Sequence, residues 1–86
     1  MNINELIAIV KKKLEKNLLI EQIKIEDKSF LHKNHPNNEI GKFHLKVTIS
    51  SKELNKFNKI ESSKRIYKIL DSEIKQFIHS LQILII

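Results

Sequence analysis

The sequence has no cysteine, and it has one glycine and one proline among 86 residues. Without thiols the chain cannot form a disulfide, a zinc ribbon, a cysteine nucleophile or an iron–sulfur cluster held by its own cysteines. A single glycine also excludes the Gly-x-x-Gly loop with which one common nucleic-acid-binding module clamps the backbone. Any metal chemistry of this chain must therefore do without thiolate ligands of its own and use chiefly nitrogen or oxygen.

Long apolar runs are also missing. No stretch approaches the roughly 20 apolar residues that cross a bilayer. The segment 1–10 is interrupted by Asn4 and Glu5, which is unlike the apolar centre of a secretory signal. With 41% hydrophobic residues in 86, we expect one domain over residues 1–86, located in the cytoplasm and without a membrane partner.

Lysine is abundant, and the net charge is +6 with an isoelectric point near 9.7. A basic surface attracts phosphate groups, so DNA binding stays open as a function. However, Arg65 is the only arginine, and lysine lacks the bidentate fork with which arginine recognises phosphate. A generic solvated surface is the alternative explanation of this charge.

The spacing of apolar residues predicts two helices and three strands. They are a helix over Ile3–Leu18 capped by Asn4, strands over Ile20–Glu26 and Phe43–Ile49, a helix over Lys59–Lys75 capped by Asn58, and a final buried strand over Ile78–Ile86. Segment 27–41 contains the proline and the glycine, and is predicted to be a long loop. Segment 52–58 is expected to form a turn or short helical piece that brings Leu54 and Phe57 onto the core.

The predicted order of helix, strand, strand, helix, strand indicates an α+β fold. The first two strands should pair antiparallel across their loop, whereas the strand–helix–strand segment should return to a parallel strand. The result is a three-stranded mixed sheet with the helices on one face, which is the layout of a class II KH-like domain.

Four segments, in this order, resemble the BolA family. They are Asp27-Lys-Ser29-Phe-Leu-His32, Gly41-Lys-Phe-His44-Leu-Lys-Val47-Thr-Ile-Ser, Lys64-Arg65-Ile66-Tyr67 and Ile78-His79-Ser80-Leu81. The resemblance implies a non-enzymatic partner of a monothiol glutaredoxin that shares a [2Fe-2S] cluster with it, for cluster trafficking or iron-linked regulation. The glutaredoxin and glutathione would supply thiolates, and no cluster is expected in the isolated chain.

The resemblance also implies ligands for the cluster. His79 matches the family's histidine at the start of the last strand, and His32 matches the ligand in the loop. His35 lies three residues after His32 and is a weaker candidate. Iron in a cluster accepts imidazole in place of thiolate, so these residue types suit the chemistry. His44 alternates with core-facing neighbours, so a structural hydrogen bond on the other face of the sheet is expected for it.

The second helix carries the expected contacts with a partner or with nucleic acid. Lys64 and Arg65 could meet the glutaredoxin or its glutathione, or simply form a solvated face. Lys64 stands where the family usually has histidine. Tyr67 is expected to pack its ring on the core and to present its hydroxyl outward.

The same residues bear on three alternatives, which are DNA binding, catalysis and self-association. DNA binding would use Lys11 to Lys13 together with Lys64 and Arg65, and would depend steeply on salt. An enzyme is not expected, because Asp27, Ser29 and His32 lie within one loop and no glycine-rich oxyanion turn is nearby. Association through the edge of the final strand would make the free protein a weak homodimer rather than a monomer.

Overall fold

The computed structural model describes residues 1–29 and 42–86. The elements are helix α1 (Ile3–Asn17), strands β1 (Gln22–Asp27) and β2 (Phe43–Ser50), a 3-10 turn (Leu54–Lys56), helices α2 (Lys59–Ile69) and α3 (Asp71–Gln76), and strand β3 (Ile78–Ile85). The predicted α+β order is confirmed, with the second predicted helix divided in two. No helix in these ranges is long and apolar enough to cross a membrane.

The three strands form one mixed sheet in the order β1-β2-β3. β1 pairs antiparallel with β2, and β2 pairs parallel with β3, as predicted. The register places Ile25 opposite Val47, and Val47 opposite Ile83. Because side chains alternate along a strand, this register aligns the apolar residues of all three strands on one face.

The helices cover that apolar face. Leu6, Val10 and Leu14 of α1 lie one helical turn apart and are completely buried, as the helical spacing predicted. They join a core whose other members are Leu18, Leu45, Val47, Ile49, Leu54, Ile66, Leu70, Ile78 and Leu81. The opposite face of the sheet carries partly exposed polar residues such as Lys46 and Thr48.

The caps of the helices agree with the prediction at one of two positions. Asn58 accepts a hydrogen bond from the amide of Glu61 at 2.8 Å, as predicted for α2. The cap of α1 is Asn2 rather than Asn4, because α1 begins at Ile3 and Asn4 already lies inside it. Oδ1 of Asn2 accepts from the Glu5 backbone amide and caps the helix, and the side-chain amide of Asn2 donates to the Glu5 carboxylate.

The predicted helix over Lys59–Lys75 breaks at Leu70. Leu70 has φ of −97° and ψ of 15°, which lies outside the helical region, and it still donates its amide to the Ile66 carbonyl. The Leu70 side chain is fully buried and Ile74 packs against the core. The change of direction therefore lets both segments turn their apolar residues inward.

Two expectations about burial are wrong. Leu54 is in the core, but Phe57 is 36% exposed, and its ring lies 3.9 Å from the guanidinium carbon of Arg65. The final strand is also not buried on both faces, because the helices cover only one face of the sheet. Leu81 is buried, whereas Leu84 and Ile86 are exposed, so only the core-facing side of β3 is covered.

Candidate functional site

A β-bulge at the start of β3 determines where His79 lies. Phe43 pairs with Ile78, but the next residue, His44, pairs with Ser80. His79 is therefore an extra residue in β3, and its side chain is exposed. Bulges are uncommon in parallel pairs and often redirect a side chain next to a functional site. The structure thus places the predicted ligand His79 at the surface of an edge strand.

His44 lies directly beside this bulge and is anchored on several sides. Its side chain is 4% exposed, and its Nδ1 shares a hydrogen bond of 2.6 Å with the Ser80 hydroxyl. The structural hydrogen bond predicted for His44 is confirmed. Its backbone amide donates to the Ser29 hydroxyl, and its carbonyl accepts from the Lys28 amide. The two residues that follow β1 and the start of β3 therefore hold His44 in place.

The rings of His44 and His79 are in contact. Their centroids are 5.0 Å apart and their planes are inclined by 56°. Sequence reasoning missed this pair, because strict alternation of side chains does not anticipate a bulge. The only available signal was that both histidines were predicted near the ends of neighbouring parallel strands.

The loop candidates His32 and His35 lie outside the described residues. Within residues 1–29 and 42–86, no three histidine, cysteine, aspartate or glutamate side chains gather in a group that could hold a metal ion. The pair of His44 and His79 is the arrangement of imidazoles that the structure brings together.

The predicted contact residues of α2 form a charged surface. Glu61, Lys64, Arg65 and Lys68 line one open groove. Arg65 pairs with the Glu61 carboxylate at 3.6 Å and stacks on Phe57, which holds the guanidinium on one side of the groove. Lys64 is exposed. A groove with this charge suits an anionic partner group.

Tyr67 does not present its hydroxyl outward as expected. The hydroxyl donates to the backbone carbonyl of Leu81 at 2.8 Å, while 42% of the residue remains exposed. Because Leu81 lies two residues after His79, this bond ties α2 to the part of β3 that follows the bulge. A tyrosine hydroxyl that is partly removed from water usually finds such a partner.

A second basic surface lies on α1. Ile9, Lys12, Lys13 and Lys16 line an open groove there. Lys13 is engaged, because its Nζ contacts the Glu73 carboxylate of α3 at 2.9 Å. Of the predicted DNA-binding run from Lys11 to Lys13, Lys11 and Lys12 are therefore the exposed members.

The polar face of the sheet carries an acidic group among lysines. Partial burial acts to raise the pKa of Glu26, but attraction to Lys24, Lys28 and Lys46 outweighs this effect. The pKa of Glu26 is consequently held below its usual value of 4.5.

Comparisons of the sequence and of the structure with known proteins lead to the same family. Residues 14–86 match the family model described as BolA-like protein. Over 73 residues the chain is 30% identical to the DNA-binding transcriptional regulator BolA of Haemophilus influenzae, a match that covers 85% of this chain and 68% of that protein.

The solved structures that resemble this chain carry the same domain. The BolA domain of SufE1 from Arabidopsis thaliana is similar with a TM-score of 0.78 at 27% identity, and the match covers 91% of this chain and 86% of that chain. BolA1 from the same plant gives a TM-score of 0.75 at 27% identity with the same coverage. BolA1 from Mus musculus shares the fold at 20% identity, with a TM-score of 0.74, over 92% of this chain and 62% of that chain.

Proposed function

Since this chain belongs to the BolA family, we propose that it is a non-enzymatic partner of a monothiol glutaredoxin and shares a [2Fe-2S] cluster with it. The role would be cluster trafficking or iron-linked regulation. The observation that carries the proposal is the exposed His79 at the β3 bulge in a chain that has no cysteine. This chain can offer imidazole but no thiolate, so a partner must supply the sulfur ligands.

The residues at the bulge suit a cluster ligand. When bound, the cluster supplies iron that accepts imidazole nitrogen in place of thiolate sulfur. His79 is accessible at the edge of the sheet, and its ring contacts that of His44. His32 is the second ligand in this proposal, with His35 as the weaker candidate.

The charged groove of α2 also supports the proposal, because its basic residues could bind glutathione. Glutathione carries two carboxylates, and lysine and arginine bind carboxylates by charge-assisted hydrogen bonds. Lys64 is exposed, whereas Arg65 is positioned by Phe57 and Glu61. The bond between Tyr67 and Leu81 couples the position of α2 to that of β3, where His79 lies.

Anaerobic reconstitution tests this proposal. The chain is mixed with a monothiol glutaredoxin, glutathione, iron and sulfide, and visible absorption and circular dichroism are compared for the original chain, His79→Ala and Gln82→Ala. Gln82 is an exposed residue of the same strand, so its variant is the matched control. We expect a new spectrum that changes or is lost only in His79→Ala. A glutaredoxin spectrum that is the same with and without this chain contradicts the proposal.

DNA binding is the second candidate, and the basic surface of α1 favours it. Lys11, Lys12 and Lys16 are exposed on that helix. The Haemophilus relative is itself named a DNA-binding transcriptional regulator. Binding through these lysines would be driven by phosphate contacts and counterion release, with little discrimination among base sequences.

Fluorescence anisotropy with a labelled 20-base-pair duplex distinguishes this candidate. Three phosphate contacts predict that the logarithm of the binding constant falls with the logarithm of salt concentration with a slope of about −2.7. Lys12→Glu combined with Lys16→Glu should abolish binding, whereas Lys52→Glu changes the charge elsewhere and serves as a control. A salt-independent affinity, or equal effects of these variants, excludes the α1 surface.

A further inference from the structure

The outer edge of β3, beyond the bulge, offers backbone groups for pairing with another strand. Within the described residues, β2 is the only strand that pairs with β3. We propose that a second copy of this chain pairs antiparallel with this edge over residues 82–86, with Leu84 of the two copies meeting at the two-fold axis. The inference requires neither the glutaredoxin nor the cluster.

The two edges of the sheet differ in charge. β1 carries Lys24, Glu26 and Asp27 within six residues, and charged side chains on an edge strand discourage pairing with another chain. In contrast, β3 is eight residues long, and segment 76–86 contains no lysine, arginine, aspartate, glutamate, proline or glycine. Two copies that each carry a net charge of +6 repel one another, so a neutral edge is where they can meet.

Alternate residues of β3 direct their backbone groups toward this outer edge. The amide of Ile86 donates to the carbonyl of Ile49, which is paired with Ile85. In a parallel pair this arrangement directs the even-numbered residues of β3 toward β2, so the amides and carbonyls of Ile83 and Ile85 point away from β2. Ile83 of one copy and Ile85 of the other then exchange two backbone hydrogen bonds, and the two-fold axis repeats this pair.

Tyr67 determines the register of the pairing. Its hydroxyl donates to the Leu81 carbonyl at 2.8 Å, so the outward carbonyl nearest the bulge already has a partner. Pairing centred on Ile83 brings Leu81 opposite Ile85 of the second copy, where a new backbone hydrogen bond competes with the Tyr67 hydroxyl. Pairing centred on Leu84 avoids this competition, because Leu81 then lies outside the paired segment.

The side chains that meet in this register are complementary. Leu84 and Ile86 are 42% and 58% exposed, and they lie on the same face because they are two residues apart. Leu84 packs on Leu84 of the second copy, and Ile86 packs on the other Gln82. Each side of a stable interface contributes roughly 20–30 residues, so a contact over segment 82–86 is weak and its population rises with concentration.

Cysteine cross-linking tests the register, because the chain contains no cysteine of its own. Directly opposite residues in a non-hydrogen-bonded antiparallel pair have Cα atoms about 4.5 Å apart, which a disulfide spans. We expect Leu84→Cys to form a disulfide-linked dimer on mild oxidation with diamide. Gln82→Cys on the same strand and Lys24→Cys on β1 are the matched controls, and both should remain largely monomeric.

Sedimentation velocity tests the association without a cross-link. The sedimentation coefficient of the original chain should rise over about a hundredfold range of concentration. Leu84→Lys places two like charges opposite each other and should weaken association at least about tenfold. Gln22→Lys adds the same charge at an exposed site of β1 and should leave association unchanged. Circular dichroism verifies that each variant is folded.

A chain that is monomeric at every concentration overturns the inference, as does equal cross-linking of the three cysteine variants. Association through β3 only after another protein is added would also overturn it, and would assign this edge to that protein. Since no glutaredoxin, glutathione, iron or sulfide is present, failure here is distinct from failure of the reconstitution experiment.

Discussion

The ammonium group of Lys13 lies 2.9 Å and 3.2 Å from the two carboxylate oxygens of Glu73, joining α1 to α3. The Glu73 side chain is only 13% exposed, so its charge depends on this partner more than a surface carboxylate would. Lys13→Met should lower the free energy of unfolding by about 1 kcal/mol, because a hydrogen-bonded charge loses its partner while solvent screens part of the loss.

Urea denaturation measures this effect, and Lys12→Met provides the control on the exposed side of the same helix. That control should change stability by less than about 0.5 kcal/mol. A double-mutant cycle with Glu73→Gln then isolates the pairwise energy. Equal effects of the Lys12 and Lys13 substitutions would show that the ion pair contributes nothing.

The contribution of the Tyr67 hydroxyl to stability can be tested by removing that group alone. Tyr67→Phe keeps the ring but removes the hydrogen bond to the Leu81 carbonyl. We expect a loss of about 1 kcal/mol in unfolding free energy, measured by chemical denaturation. Ile60→Ala, at a 70% exposed position of the same helix, should be close to neutral. If Tyr67→Phe is also neutral, water replaces the lost bond and α2 does not depend on it.

Ser51 is a fully buried side chain with two partners. Its hydroxyl donates to the Leu19 carbonyl at 2.6 Å and accepts from the Leu54 amide. Ser51→Ala leaves the buried Leu54 amide and the part-buried Leu19 carbonyl without that partner, so we expect a loss of about 2 kcal/mol. In a domain of this size each kcal/mol lowers the melting temperature by about 4–8 °C, so calorimetry resolves the change.

Ser62 is the matched comparison for Ser51. It is equally buried, but its hydroxyl donates a single hydrogen bond, to the Leu54 carbonyl at 2.9 Å. Ser62→Ala should therefore cost about half as much, near 1 kcal/mol. An equal or larger cost for Ser62→Ala would mean that packing, rather than hydrogen bonding, controls these positions.

Glu26 predicts a pH dependence of stability. Its pKa is lower in the folded chain than its usual value of 4.5, because nearby lysines favour the charged form. Its contribution to stability is therefore present above pH 4.5 and is lost as the pH falls through the folded-state pKa. Glu26→Gln should remove this part of the acid dependence in urea titrations at several pH values.

Salt provides the control for Glu26. The lysines act through a solvent-exposed face, so high ionic strength should screen them and return the pKa of Glu26 toward its usual value. Carbon-13 NMR of the Glu26 carboxyl measures this directly. A pKa that does not respond to salt would rule out attraction to Lys24, Lys28 and Lys46 as the cause.

The exposed charge of Lys64 should increase the rate of association with the glutaredoxin. Lys64→Glu reverses an exposed charge in the groove of α2 and should slow association with the glutaredoxin. The loss of affinity relative to the original chain should be largest at low salt, where charges are least screened. Lys52→Glu makes the same change of net charge at an exposed site outside the groove. Surface plasmon resonance should show a larger effect for Lys64→Glu. Identical association rates for the two variants would show that the groove of α2 does not contact the glutaredoxin.

The spacing of apolar residues predicted most of the fold, because it indicates which face of each helix or strand is buried. The spacing of Leu6, Val10 and Leu14 and the alternation in β2 each identify one apolar face, and both faces are buried as expected. The break at Leu70 was not predicted, because no glycine or proline marks it. It follows from packing two helical segments on one sheet, which is a tertiary requirement.

The candidate site was predicted in part. His79, Lys64, Arg65 and Tyr67 were named from the sequence, and the structure describes where each of them lies. The contact between His44 and His79 was not predicted, because it depends on a bulge whose position is decided by pairing with another strand. The ring of Phe57 was likewise assigned to the core, although it supports Arg65 at the surface.

The sequence by itself determined the ligand chemistry and the order of the elements. A chain with no cysteine cannot present a thiolate to a metal, whatever its fold, and the periods of its apolar residues specify helix and strand locally. The tertiary structure alone decided which groups meet. The registers of β1, β2 and β3, and the turn at Leu70, arise from contacts between residues far apart in the chain, which no local pattern encodes.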